Sequence, residues 1–263
     1  ALVTGASRGI GKAIALELAR EGVDLVIVAR NQAALDETAS EIAGLTGRRV
    51  IAKAADVTDR QRVDTVVNEA AAELGGLHIL INSGSLPGGS PNATGAIESI
   101  VEEDFLQDFN VKYLGALRCS RAAIPHLKRA GWGRIINISG LNARKAGNLS
   151  GGARNGALVH FTRTLALQLG RHGITVNCIH PGVTRTERTA DLLASRGAEL
   201  GLSAEAVEAS DYAEGSSRGN SIGRMIDASE IAHLAMFLCS DRSWALNGEV
   251  IAADGGGSSS VYY

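Results

Sequence analysis

The run Thr4-Gly5-Ala6-Ser7-Arg8-Gly9-Ile10-Gly11 lies between a short apolar strand, Leu2-Val3, and a helical pattern over 10–20. A strand that passes through closely spaced glycines into a helix is a strong constraint on folding. The helix must fold back on the sheet it has just left, and its first N–H groups have no partner within the helix. Gly5 permits the sharp turn, while Gly9 and Gly11 permit close approach of a ligand and of helix to sheet. Free amides and the helix dipole together favour an anion at this mouth. The spacing G-x-x-x-G-x-G therefore predicts a dinucleotide pyrophosphate held by Gly5, Ser7, Arg8, Gly9 and Ile10.

The rest of the chain alternates strand and helix patterns. Strands are predicted over 24–29, 50–54, 77–81, 134–138, 174–179 and 249–252. Helices are predicted over 32–43, 59–74 with Asp59 as its cap, 102–128 with a bend near Pro125, 156–171 and 229–238. A loop with Pro87, Gly88, Gly89 and Pro91 follows the fourth strand. This rhythm implies right-handed crossovers and an α/β fold, a doubly wound parallel sheet of roughly seven strands. At 263 residues the expectation is a single Rossmann domain over 1–263. Residues 185–220 break the rhythm with a polar, small-residue-rich insertion. It reads either as a solvated helical excursion or as a lid over a substrate.

A formal net charge of −2 without a dense basic run argues against nucleic acid. No apolar stretch approaches the roughly 18 residues needed to span a bilayer, so no membrane partner is expected. Cys119, Cys178 and Cys239 are widely spaced and lack metal-ligand spacing. They read as small core residues in a reducing, cytoplasmic compartment, with no metal site. The chain opens on Ala1, already inside a strand, and residues before it are expected.

The second strand ends Val28-Ala29-Arg30-Asn31, where an NAD site would carry an acid for the ribose hydroxyl. Arg30 and Arg8 instead offer two guanidinium forks suited to a 2′-phosphate. The expected cofactor is NADP rather than NAD.

Several separate motifs now make the resemblance plain. Besides the glycine turn they are Ala55-Asp56-Val57, Asn82-Ser83-Gly84-Ser85, Asn110-Val111-Lys112, His180-Pro181-Gly182 and Asn247-Gly248-Glu249 before Asp254-Gly255-Gly256. Over nearly its whole length the chain resembles the short-chain dehydrogenases/reductases. The resemblance implies that Asp56 and Val57 meet the adenine, that Asn82 and Gly84 lie along the ribose side, and that Pro181, Gly182 and Thr184 reach the nicotinamide end. It also implies a small-molecule substrate and a homotetramer or homodimer.

The family transfers hydride between a nicotinamide and a carbonyl or alcohol carbon. A tyrosine moves the proton, a lysine four residues beyond it holds the tyrosine's pKa down, and a serine and an asparagine assist. Anchored on Phe161-Thr162-Arg163-Thr164, the tyrosine position carries Gly151 and the lysine position Asn155. Asn110 matches the family's asparagine, and Ser139 stands one residue before the serine position. Neither Gly151 nor Asn155 can ionise. The expected catalytic residues are therefore Asn110 and Ser139, with Tyr113, one helical turn from Asn110, as a substitute phenol or a packing residue. Arg144, Lys145, Arg154, His160 and His180 are charged or titratable neighbours, each with a surface or packing alternative.

Three readings remain open: an NADP-dependent oxidoreductase with an atypical site, a nucleotide-binding sensor or partner subunit without turnover, and a lyase or isomerase in the same cleft.

Overall fold

The computed structural model describes residues 1–86 and 88–257; Pro87 of the loop and the last residues of the expected 1–263 domain lie outside them. The strands are β1 (Leu2–Thr4), β2 (Leu25–Ala29), β3 (Val50–Ala54), β4 (Ile79–Asn82), β5 (Gly133–Ile138) and β6 (Ile174–Pro181). An outlying pair, β7 (Thr184–Arg185) and β8 (Ile226–Asp227), precedes β9 (Val250–Ala253). The main sheet has seven parallel strands in the order β3-β2-β1-β4-β5-β6-β9.

The central strands are almost continuously apolar because helices cover both faces. Leu25 and Ile27 of β2 face one layer and Val26 and Val28 the other, following the two-residue strand period. The first layer is α1 (Gly9–Arg20), α2 (Gln32–Thr46) and, near the end of the chain, residues 228–239; Ile14, Leu35 and Ile231 pack there. The second is α3 (Arg60–Glu73), residues 115–130 and residues 149–169, through Val66, Ala123 and Leu158. Asn31 and Asp59 accept from Ala34 and Arg62 backbone N–H groups and so cap α2 and α3, the latter as expected.

The helix expected over 102–128 is interrupted. It runs as α4 (Glu102–Phe109), a π-helical turn (Asn110–Leu114) and α5 (Gly115–Ala130). Arg118 holds the turn, donating to Asn110 Oδ1 at 2.8 Å and to the Asn110 carbonyl at 3.3 Å. Pro125 sits inside α5 without ending it. The helix expected from 156 begins earlier, as α6 (Leu149–Leu169), because the Asn148 side chain accepts from Gly151 N–H at 2.6 Å. Gly151 and Gly152, poor helix formers, mask that first turn in the sequence. The insertion carries α7 (Thr189–Leu200) and α8 (Ala204–Asp211), tied by Arg196 to Asp211 at 2.5 and 2.9 Å, and α9 (Ala228–Cys239) closes the first layer.

Strand order reverses between β1 and β4, so a crevice opens above the carboxyl ends of these strands. Thr4 pins that edge: its hydroxyl donates to Ile81 O and accepts from Ser83 and Gly84 N–H at 3.1 and 3.2 Å.

Candidate active site

A cleft of about 1100 Å³ runs along the carboxyl end of the sheet. Over β1 to β3 it is lined by Gly5, Ser7, Arg8, Gly9, Ile10, Arg30, Asp56, Val57 and Gly84. Over β5 and β6 the lining continues with Ser139, Pro181, Gly182 and Thr184. One cavity thus gathers residues up to 179 positions apart in the chain.

The geometry of the turn suits a phosphate. Gly5 has φ +66°, and a Cβ there would lie 2.7 Å from the Ser83 carbonyl oxygen, so only glycine fits. The N–H of Gly9 already donates to an anionic oxygen, Glu187 Oε2, at 2.9 Å. A side chain from the insertion therefore stands where the helix mouth would meet a pyrophosphate. Leu193, Arg196 and Asp211 of α7 and α8 complete that wall.

Three expected site residues do not line the cleft. Asn82 is buried beneath it, donating to Asn137 Oδ1 at 2.8 Å and Ser120 Oγ at 3.2 Å; it braces the ends of β4 and β5 rather than presenting itself to a ribose. Asn110 spends its side-chain oxygen on Arg118. Tyr113 packs its ring against Phe109 and Phe161, with centroids 4.9 and 5.8 Å away. The π turn changes the rotation per residue, so helical spacing from Asn110 mispredicts where these side chains face.

The same turn sends a different side chain into the site. Lys112 lines the cleft while only 7% exposed, and its Nζ donates to the Ser139 carbonyl at 3.0 Å. Burial first, and then the charge of Arg154, push its ammonium down to about 7. The Ser139 hydroxyl donates to the Asn155 carbonyl at 3.2 Å. Asn155 Oδ1 is buried and has no hydrogen-bond partner among the described residues. At Gly151 a Cβ would fall 2.5 Å from Asn142 Nδ2 and 2.8 Å from Asn148 Oδ1, so two asparagine side chains take that space.

Arg154 is no surface residue. It lines the cleft, 5% exposed, with its guanidinium 3.9 Å from the fully buried Asp108 carboxylate. Asp108 also accepts from the Ser150 hydroxyl at 2.6 Å and from Ser90. Lys145 lines the cleft too, reaching Gly257 O at 2.8 Å, while Arg144 donates to Val250 O and His160 is exposed. His180 is fully buried, and burial followed by the Arg144 and Lys112 charges pushes it down to about 4. Among the described residues no group of three or more His, Cys, Asp or Glu is placed to hold a metal, and no helix is long and apolar enough to cross a membrane.

Sequence reasoning missed Lys112, Glu187 and the inward turn of Arg154. The one signal available for Lys112 was a lysine in an otherwise apolar stretch, Val111-Lys112-Tyr113-Leu114.

A family model described as short chain dehydrogenase matches residues 1–197. The chain belongs to the short chain dehydrogenase family. It is 35% identical to the short-chain reductase protein NovJ of Streptomyces niveus over 259 residues, 97% of this chain and 92% of that protein. The NADPH-dependent reductase BacG of Bacillus subtilis is 32% identical over 264 residues, 99% and 98% of the two chains. The L-sorbose reductase of Gluconobacter frateurii, solved with NADPH and L-sorbose, superposes with a TM-score of 0.91 at 29% identity, covering 99% of this chain and 96% of that one.

Proposed function

We propose that this chain is an NADP-dependent oxidoreductase acting on a small carbonyl or alcohol substrate, with Gly151 and Asn155 where the family carries its tyrosine and lysine. The observation that carries this reading is the single cleft holding the glycine turn, both arginine forks and Ser139. The chemistry of the donors fits the cofactor. Gly9 N–H binds an anionic oxygen, and Arg8 and Arg30 supply the bidentate charge a 2′-phosphate takes up. Asp56, Val57 and Gly84 would border the adenosine, and Pro181, Gly182 and Thr184 the nicotinamide end. The unpartnered Asn155 Oδ1 offers an acceptor to a ribose hydroxyl.

When bound, the nicotinamide supplies or takes up a hydride. The chain's own part is to exclude water, to seat the substrate oxygen at the Ser139 end of the cleft, and to manage one proton. Holding the reactants in place accounts for much of the rate, while general acid help adds about 10²–10⁴-fold. In this reading the chain is one domain, residues 185–220 form a lid over the substrate, and the working form is a cytoplasmic homotetramer or homodimer.

A second reading, an NADP-binding sensor or partner subunit without turnover, draws on Gly151, where the side chains of Asn142 and Asn148 occupy the space a larger side chain would need. Titrating protein into NADPH and following the nicotinamide fluorescence, then assaying NADPH consumption with aldehydes, ketones, quinones and enoyl compounds, separates the two. Binding with turnover supports the oxidoreductase; binding without turnover across the panel supports the sensor.

A further inference from the structure

Resting on the oxidoreductase reading, we propose that Lys112 is the catalytic proton donor to the substrate carbonyl oxygen and that Arg154 is the positioning residue whose charge tunes it.

Placement comes first. The π turn Asn110–Leu114 carries Lys112 across to the end of β5, where Nζ is held 3.0 Å from the Ser139 carbonyl. Lys112 and Ser139 both line the cleft, so the ammonium is anchored at its β5 end, where a substrate oxygen could reach it. Among the described residues this carbonyl is the ammonium's single hydrogen-bond acceptor, and no carboxylate pairs with it. An ammonium has three donors, which leaves two for a ligand. A buried charge without a counter-ion is costly to keep, and a methionine would fill the same space without that penalty.

The surroundings are arranged by charge. Arg154 on α6 faces the site and is itself fixed by Asp108 on α4. From β6 the thiol of Cys178, pushed up to about 11 by burial, and the neutral imidazole of His180 lie within electrostatic reach. Only Arg154 adds positive charge strongly enough to act on Lys112 after burial itself. The device is a proton donor brought near neutrality by burial first and a neighbouring cation second, where general acids work best.

The step balances simply. The carbonyl carbon accepts the hydride supplied by the reduced nicotinamide, and the C=O π pair moves to oxygen. An N–H bond of the Lys112 ammonium breaks as the O–H bond forms, leaving a neutral amine that water reprotonates. Alcohol oxidation runs the same step backward with the neutral amine as base.

The test uses the full chain with diacetyl, benzaldehyde and cyclohexanone as probes. Three readouts are combined: NADPH fluorescence for binding, NADPH consumption against pH, and NMR of ¹³Cε-labelled lysine. Reduction should fall about tenfold per pH unit above about 7 in the wild type. Lys112→Arg and Lys112→Met should lose about 10²–10⁴-fold in kcat and lose that pH limb. Both should keep NADPH binding, and a thermal melt checks their folding. Arg154→Met should move the limb to higher pH. One lysine resonance should titrate near pH 7, vanish in Lys112→Arg and shift upward in Arg154→Met.

Full turnover with an unchanged pH limb in Lys112→Arg overturns the proposal, as does the absence of any lysine titrating near neutrality. Wild-type protein that binds no NADPH, or binds it without consuming it with any probe, overturns the oxidoreductase reading and this proposal with it.

Discussion

The two ends of the cleft are built from different materials. Over β1 to β3 the contacts offered are chiefly main-chain amides at the mouth of α1, with Arg8 and Arg30 added at the rim. Over β5 and β6 they are side chains: Ser139 and Lys112, each held by a backbone carbonyl, Arg154, paired with Asp108, and Asn155, whose Oδ1 has no partner among the described residues. Main-chain geometry follows from the crossover itself, and a substitution disturbs it only by intruding on a glycine. Side-chain chemistry can be traded residue by residue while the backbone stays put. In the proposed reading the nucleotide end keeps the family's pattern and the departure is confined to the β5 and β6 end.

The sharpest break in that contrast is Gly5→Val. A branched side chain at φ +66°, with Cβ 2.7 Å from Ser83 O, adds at least about 1–3 kcal/mol of strain. NADPH binding by fluorescence should disappear, and Tm should fall by about 2–12 °C. A valine variant that still binds NADPH would contradict a backbone-built site. Next comes Arg30→Ala, which in the proposed reading removes a charge-assisted contact to the 2′-phosphate. NADPH affinity should drop about 10- to 100-fold while NADH affinity hardly moves. Equal losses for the two cofactors would show that Arg30 does not read the phosphate.

Glu187→Gln should act in the opposite sense. Taking a carboxylate away from the helix mouth removes about 0.3–1 kcal/mol of competition, so NADPH should bind about 2- to 5-fold tighter. Weaker binding would mean that Glu187 supports the cofactor instead. Tyr113→Phe should change least, within about twofold in turnover, because its ring packs on Phe109 and Phe161 away from the cleft. A large loss there would return the phenol to the reaction end.

The same division explains what could be read from residues alone. Periodicity and glycine spacing located the strands of the main sheet, the α1 turn and most of the residues that line the cleft over β1 to β3, because local steric rules and two-sided burial leave few alternatives. Asn82 was misassigned although its motif was recognised: a side chain at a strand end can point into the cleft or under it, and its bonds to Ser120 and Asn137 decide for under. Asn110 and Tyr113 were misplaced for a different reason. Their facing was inferred from a regular helix, and the π turn at 110–114 removes that premise.

By itself the chain's pattern of small apolar runs, glycines and helix caps determined a parallel, doubly wound sheet with an anion-seeking mouth, since each of those features acts over a few neighbouring residues. Which charged groups meet at the far end was settled only in three dimensions. Lys112 reaches Ser139 because of one extra residue in a helical turn, Glu187 crosses to Gly9 with the fold of the insertion, and Arg154 turns inward where α6 packs beside Asp108 of α4. Such long-range placement depends on packing between elements distant in sequence, and no local rule contains it.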